Sequence, residues 1–366
     1  MTDPTSGNSQ LATRNLAAGQ RRVVHLPVYA ENAYQPMLME AQRQLGWDVI
    51  DGGGGGNFLR TALRDWKADV IHFHWLHPYL LREGRISSWI RGYRFLAEVA
   101  CIRRTGTRIV WTVHNLTNHD RSHCDIEQNL TRRFAQMCHL IVTHGQFAAE
   151  AARQQFDIPE VVPMLSVRFP NYSDRYKTDL SPTQARSRWG LKPNQLVVGY
   201  LGRVEPYKQV CELVTAFRRL AGDNHRLLIG GRASTPDYAQ EVRSAINGDG
   251  RIRYLDEYVP DHDMAGFLLA TDVMACPSKG ILTSSSVPLA MSFGRAVIAP
   301  ADGCIPEEVG DSGYLYDSSS EDGLATALRR AFGEPDSLCS KGEKAKRLAD
   351  ASSPQQIAKQ ILNGYE

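Results

Sequence analysis

No Cys-x-x-Cys pair occurs in this 366-residue chain, and its seven cysteines are scattered and odd in number. The lack of paired spacing argues against a disulfide framework or a zinc knuckle and for a reducing compartment. An excess of one charge is missing too. The 42 Lys and Arg against 40 Asp and Glu leave a net charge of +2, which removes the electrostatic case for a nucleic-acid partner. No apolar run is long enough to span a bilayer. Residues 1–20 are polar and lack the apolar core of a secretion signal, so the expectation is a disordered tail on a cytoplasmic protein. Five glycines, Gly52–Gly56, lack the Gly-Lys-Ser/Thr ending of a P-loop and read better as a flexible connector than as a phosphate cradle.

What the chain does have is a rhythm. Short apolar strands at Arg22–Val28, Trp47–Ile50, Asp69–His74, Thr107–Val113 and His139–Thr143 alternate with helical spacing, as at Ala33–Leu45, which stops at Gly46. Residues 163–171 read as irregular, and a polar stretch with a helix at Thr183–Trp189 marks a boundary. The rhythm then restarts, with strands at Leu196–Leu201, His225–Ile229, Ile252–Leu255 and Ala296–Ala299. Helices are expected between and after them at Val210–Leu220, Tyr238–Asn247, Met264–Ala270 and Gly323–Phe332. This alternation predicts an α/β protein of two doubly wound, Rossmann-like parallel sheets, with ligands at the carboxyl ends of the strands. The expected division is 21–175, 176–350 and a terminal stretch 351–366, whose helix Gln355–Leu362 is placed to cross the hinge.

Two loops carry candidate chemistry. Thr283, Ser284, Ser285 and Ser286 precede a short apolar helix, Val287–Phe293, with Pro288 in its first turn. Such hydroxyls are natural helix caps, and taken alone this loop reads as a plain capped helix. A helix start also offers unpaired N–H groups to a phosphate. The second loop, Gly202 to Lys208, follows the first strand of the second half and presents Arg203 and Lys208. A guanidinium fork beside a mobile ammonium suits a diphosphate, and both loops fall at the same edge of one sheet. Together they favour the phosphate reading.

The ordered set Gly202-Arg203-x4-Lys208, Gly230-Gly231, Pro277-Ser278 and Met291-x-x-Gly294-x-x-Val297-Ile298-Ala299 resembles the C-terminal half of two-domain GT-B glycosyltransferases of the family 4 type. Tyr34-Gln-Pro and Val70-Ile-His-Phe-His-Trp75 look like their N-terminal half. The resemblance implies two domains facing across a cleft and a nucleotide diphosphate sugar, GDP- or UDP-linked, as donor with no separate cofactor. Gly202, Arg203, Lys208 and Gly231 would surround the diphosphate, Tyr258 and Val259 would lie by the nucleobase, and the amides of Thr283–Ser286 would meet phosphates or sugar.

Family 4 enzymes carry two glutamates where this chain has Ile281 and Leu289. In this it resembles a divergent branch that includes bacterial exopolysaccharide and β-mannosyl-transferring enzymes. The loss favours inversion, which needs a base for the acceptor hydroxyl and cations for the departing diphosphate. Asp120 ranks first as that base and His119 second, with His114 orienting sugar or phosphate. His72 and His74 sit among apolar neighbours and read as packed core residues. No histidine spacing matches a closed metal-ligand set, and Asp261-His-Asp263 reads as a helix cap, so no metal site is assigned. The acceptor is a hydroxyl on a glycan, glycolipid or small molecule. Two alternatives stay open: a retaining family 4-type transferase, and an inactive sugar-nucleotide-binding partner subunit.

Tyr79–Thr105 carries six arginines against Glu83 and Glu98, interleaved with Trp89, Tyr93 and Phe95. Such a helix can lie on an anionic membrane surface, the inner face of the membrane here, or it can be a solvated helix face.

Overall fold

The computed structural model describes residues 19–29, 32–53, 58–63, 67–117 and 123–366. The tail 1–18, three of the five clustered glycines, and the loop residues His119 and Asp120 lie outside the described residues.

Twelve strands among the described residues form two sheets of six. The first contains β1 (Arg22–Leu26), β2 (Asp48–Asp51), β3 (Val70–Phe73), β4 (Arg108–Val113), β5 (Leu140–Thr143) and β6 (Met164–Ser166), ordered β2-β1-β3-β4-β5-β6. The second contains β7 (Leu196–Leu201), β8 (His225–Gly230), β9 (Ile252–Leu255), β10 (Val273–Ala275), β11 (Ala296–Pro300) and β12 (Gly313–Tyr316), ordered β12-β11-β10-β7-β8-β9. Every pairing is parallel. Both sheets are doubly wound, so each has a switch point where the chain turns from one edge to the other.

Strands covered on both faces are apolar on both, and period-2 alternation sorts their side chains. In the first sheet Val24, Ile71, Ile109 and Trp111 join one core, and Val23, Val70, Val110, Leu140 and Val142 the other. The same parity sends His25, His72 and Thr112 to the second face, at the strands' carboxyl ends, followed by His74, His114 and His144 beyond the strands. Two helices cover that face, Tyr34–Gln44 and the terminal Pro354–Gly364, which share its core through Leu38, Ala41, Ile357 and Ile361, with Tyr365 following the second helix. The last helix thus returns to the first lobe, where Arg21 pairs with Glu366 and Gln355 donates to Gln44.

Several local expectations change. Residues 163–171 are not wholly irregular, because β6 pairs there with β5. The basic stretch 79–105 is broken by Gly84, whose positive φ of 86° starts a new helix, Arg85–Arg103. Asp261 and Asp263 occupy the first turn of their helix rather than its cap, which is Pro260. Their charges favour the helix dipole and meet Arg175 and Arg188. Helix Ser286–Ser292 starts after Ser285, and no side chain caps it. The hydroxyl-capping reading therefore fails, and the helix start is left open.

Candidate active site

In the second sheet the switch point lies between β7 and β10. The loops leaving those strands, 202–209 and 276–285, are brought side by side by the topology alone. The backbones of neighbouring loops come close enough to need glycine. A Cβ on Gly231, at φ 154°, would lie 1.7 Å from the Gly202 carbonyl oxygen. Gly202 N–H donates to the Gly230 carbonyl at 3.0 Å and Val204 N–H to that of Arg232 at 3.0 Å, so the loops after β7 and β8 are zipped together.

Two hollows adjoin these loops. A cavity of about 300 Å³ is lined by Gly202, Arg203, Gly231, Tyr258, Val259, Ser285 and Ser286. A larger one, about 910 Å³, is lined by Lys208, Thr283, Ser284 and Ser285 from the second lobe and by His114 from the first. Ser285 and Tyr34 border both. All ten residues expected at the donor thus line one or other hollow, while the two cations lie in different ones.

Arg203 and Lys208 differ in kind. The Arg203 side chain is 79% exposed and pairs with Glu205 at 2.7 Å. Lys208 forms no ion pair among the described residues and rests over the Tyr207 ring. Burial pushes its pKa below the ordinary 10.5. A desolvated ammonium facing a cavity is a site short of an anion. Ile281 lines the larger hollow and Leu289 the smaller, so both walls are apolar where the family 4 pattern has carboxylates.

From the first lobe comes His114, stacked on Trp75 at 4.5 Å and met edge-on by Tyr34 at 5.5 Å. Its carbonyl accepts a hydrogen bond from Thr283 Oγ1 at 3.3 Å, which joins the two lobes inside the cleft. Burial holds its ring neutral, with the pKa well below 6.5. Other lining residues are not picked out by the sequence as site residues. Tyr34 and Trp75 are visible there only as parts of longer patterns, while Asn115, Lys279 and Arg232 carry no signal beyond their position just after a strand or in a loop.

His25, His72 and His74 place ring nitrogens within 4.8 Å of one another, a spacing that could hold a metal ion. Yet every one of their six ring nitrogens already has a hydrogen-bond partner: His25 with Gln42 and His74, His72 with Tyr365 and Thr112, and His74 with His25 and His114. The three rings thus bond to one another and to their neighbours, and the assignment of His72 and His74 to a packed interior fits their near-zero exposure. A separate hollow of about 920 Å³, beside Arg186, Arg295 and Cys339, contains none of the expected site residues.

Known proteins resemble this arrangement. Residues 195–334 match the family model described as glycosyl transferases group 1. A GDP-mannose:glycolipid 4-beta-D-mannosyltransferase of Xanthomonas campestris pv. campestris is 26% identical over 287 residues, spanning 74% of this chain and 73% of its own. An alpha-maltose-1-phosphate synthase of Mycolicibacterium smegmatis is 32% identical over 193 residues, 48% of this chain and 49% of its own. Among solved structures, sucrose-phosphate synthase from Thermosynechococcus elongatus superposes with a TM-score of 0.74 at 17% identity, covering 94% of this chain and 98% of that one. Anabaena HepE in complex with UDP gives 0.72 at 16% identity, covering 94% and 99%.

The chain is a glycosyltransferase of the GT-B fold. The group 1 match at residues 195–334 falls on the second lobe, the one that supplies Lys208 and the open helix start. The transferase's first lobe supplies the histidine face across the cleft.

Proposed function

We propose that the transferase moves mannose from GDP-mannose to a hydroxyl of a lipid-linked glycan, with inversion and without a metal. The observation that carries this reading is Lys208, a desolvated ammonium that forms no ion pair among the described residues, on the wall of a cavity that His114 borders from the other lobe. The diphosphate rests between Lys208 and the open amides at Thr283–Ser286, with Arg203 and Gly202 on the neighbouring wall and the base near Tyr258 and Val259. These positive groups supply the charge stabilisation that a leaving diphosphate demands. The Xanthomonas relative supports the choice of donor and acceptor, since it spans nearly three quarters of this chain and its name gives both.

The acceptor's proton goes to a base on the loop that begins at His114, with Asp120 first and His119 second. His114, neutral and buried, orients a hydroxyl. Apolar Ile281 and Leu289 in place of carboxylates support inversion over retention.

Access to a lipid-linked acceptor comes through helix Arg85–Arg103. Its residues Ile86 and Ile90 are 77% and 66% exposed, and with Tyr93 they form one face at i, i+4 and i+7. Arg82, Arg103 and Arg104 are exposed near it, as is Arg94 in its pair with Glu98, and this excess of positive charge supports an anionic lipid surface as the partner. No helix among the described residues is long and apolar enough to cross a membrane.

The test pairs a melting-temperature panel of GDP-mannose, UDP-glucose and the free nucleotides with a transfer assay. GDP-mannose should stabilise the fold most, and the product should be β-linked. An α-linked product would remove inversion. Stabilisation with no release of GDP would leave the inactive partner subunit as the reading. Asp120→Asn should lower kcat about a hundredfold or more with donor KM unchanged, and loss of donor binding in that variant would take Asp120 out of the base role.

A further inference from the structure

An unbroken string of hydrogen bonds leads from the interior of the first lobe to the cleft. Gln42 Oε1 lies 2.7 Å from His25 Nε2, His25 Nδ1 lies 2.9 Å from His74 Nε2, and His74 Nδ1 lies 3.2 Å from His114 Nε2. Gln42 and His25 are wholly buried, His74 almost so, and only His114 reaches the cavity. The rings are fixed by stacking, His74 on His72 at 4.6 Å and His114 on Trp75. Nothing in the proposed reaction uses Gln42, His25 or His74.

A neutral imidazole carries one N–H and one lone pair, so in such a string each ring dictates the next. Burial keeps all three rings neutral: it brings His25 down to about 4 and holds His74 and His114 well below 6.5. Gln42 presents its carbonyl to His25 and its amide NH2 to Tyr365 Oη at 3.2 Å. His25 must then carry its proton on Nε2 and accept on Nδ1. His74 must donate from Nε2 and accept on Nδ1, and His114 must donate from Nε2. The second branch agrees. With its oxygen accepting from Gln42, Tyr365 gives its own proton to His72 Nδ1 at 2.6 Å, and His72 Nε2–H turns to Thr112 Oγ1 at 2.6 Å. Turning the Gln42 amide over would reverse both branches together.

We propose that Gln42, acting through His25 and His74, sets the tautomer of His114 so that its Nδ1 meets the cleft as a bare hydrogen-bond acceptor for a hydroxyl of donor or acceptor sugar. Gln42, His25 and His74 are positioning residues, and the polarity of the site is decided two helical turns deep in the lobe. The consequence for turnover rests on the transferase reading above. The tautomer itself is read without any substrate, so the two fail separately.

The experiment is long-range 1H–15N correlation on protein labelled with 15N-histidine, the His114 signals being assigned with His114→Asn. In the wild-type protein His114 should be protonated on Nε2 and bare on Nδ1. Gln42→Leu should give His114 a mixed or reversed tautomer and lower kcat about tenfold, the scale of one misdirected hydrogen bond, with a lowered melting temperature but a cooperative fold and GDP binding retained. Gln42→Glu, which can only accept at that position, should restore the wild-type tautomer and most of the turnover. A wild-type His114 protonated on Nδ1 would overturn the proposal even if both variants failed to fold. So would a Gln42→Leu protein whose tautomer is unchanged, whatever its kcat.

Discussion

Lys208 and Arg203 stand five positions apart on one loop, yet their surroundings assign them different shares of an anion. Lys208 is desolvated and forms no direct ion pair among the described residues, feeling the Glu205 carboxylate only at longer range, whereas the exposed Arg203 pairs with Glu205 directly. An interaction with a charged hydrogen-bond partner contributes about 1.5–3 kcal/mol. Lys208→Ala is therefore expected to lower kcat/KM by about tenfold to a hundredfold, and Arg203→Ala by only several-fold. Equal losses in steady-state assays would show that burial does not rank the two. The pH dependence has a definite sign. The folded ammonium gives up its proton more readily than the unfolded one, so between its depressed value and 10.5 the unfolded chain holds more protons. In that window the free protein gains stability as pH rises. Donor affinity moves the other way, because only the charged form holds a diphosphate. A plot of donor KM against pH should climb through the depressed value in the wild type and stay flat in Lys208→Ala.

At the scale of elements, helix Arg85–Arg103 makes the clearest claim. Fully burying an Ile side chain stabilises by about 1.5–3 kcal/mol, so Ile86 and Ile90 together can anchor the lobe to a lipid surface. Ile86→Glu with Ile90→Glu should abolish flotation with anionic phospholipid vesicles while leaving the melting temperature within a few degrees. Flotation with neutral vesicles, or no loss in the double variant, would dismiss the surface.

How far such elements can be read from sequence depends on where their order comes from. β7, β9 and helix Val210–Leu220 fall where the apolar period puts them, because that period is itself the buried face. Helix Pro335–Asp350 carries few apolar residues and escapes the sequence reading. Its order comes from docking on helix Ser286–Ser292, so close that a Cβ on Gly342 would meet the Gly294 carbonyl oxygen at 2.3 Å. β6 has three half-buried residues and exists through its pairing with β5. The cation loop and the hydroxyl loop are legible because each follows a strand at a switch point. Tyr34 and the Gln42–His25–His74 string are not, because their meaning arises only when a helix and two strands close on one face.

The two lobes are also tied outside the cleft, and that tie bears on turnover. Helix Gln146–Gln155 of the first lobe begins after Gly145 and has no cap of its own. Glu307 of the second lobe supplies one, its carboxylate accepting from the Gln146 and Phe147 amides at 2.7 Å each. Next to it Arg168 donates to the Glu308 carboxylate and carbonyl at 3.0 and 2.8 Å. A carboxylate on two helix-start amides combines a cap with the helix dipole and contributes about 0.5–2 kcal/mol. Phe147 borders the larger cavity, so this contact helps to hold the closed cleft in which Thr283 reaches the His114 carbonyl. A cap within one lobe would affect stability alone, whereas a cap between lobes biases their opening as well. Glu307→Ala should therefore raise the KM for donor and acceptor several-fold and shift solution X-ray scattering toward a larger radius of gyration. Gln146→Pro removes one of the same amides at a position where the first helical turn tolerates proline, and should act in the same direction. If Glu307→Ala lowers the melting temperature but leaves both the scattering and the two KM values unchanged, the contact stabilises a helix and does not govern closure.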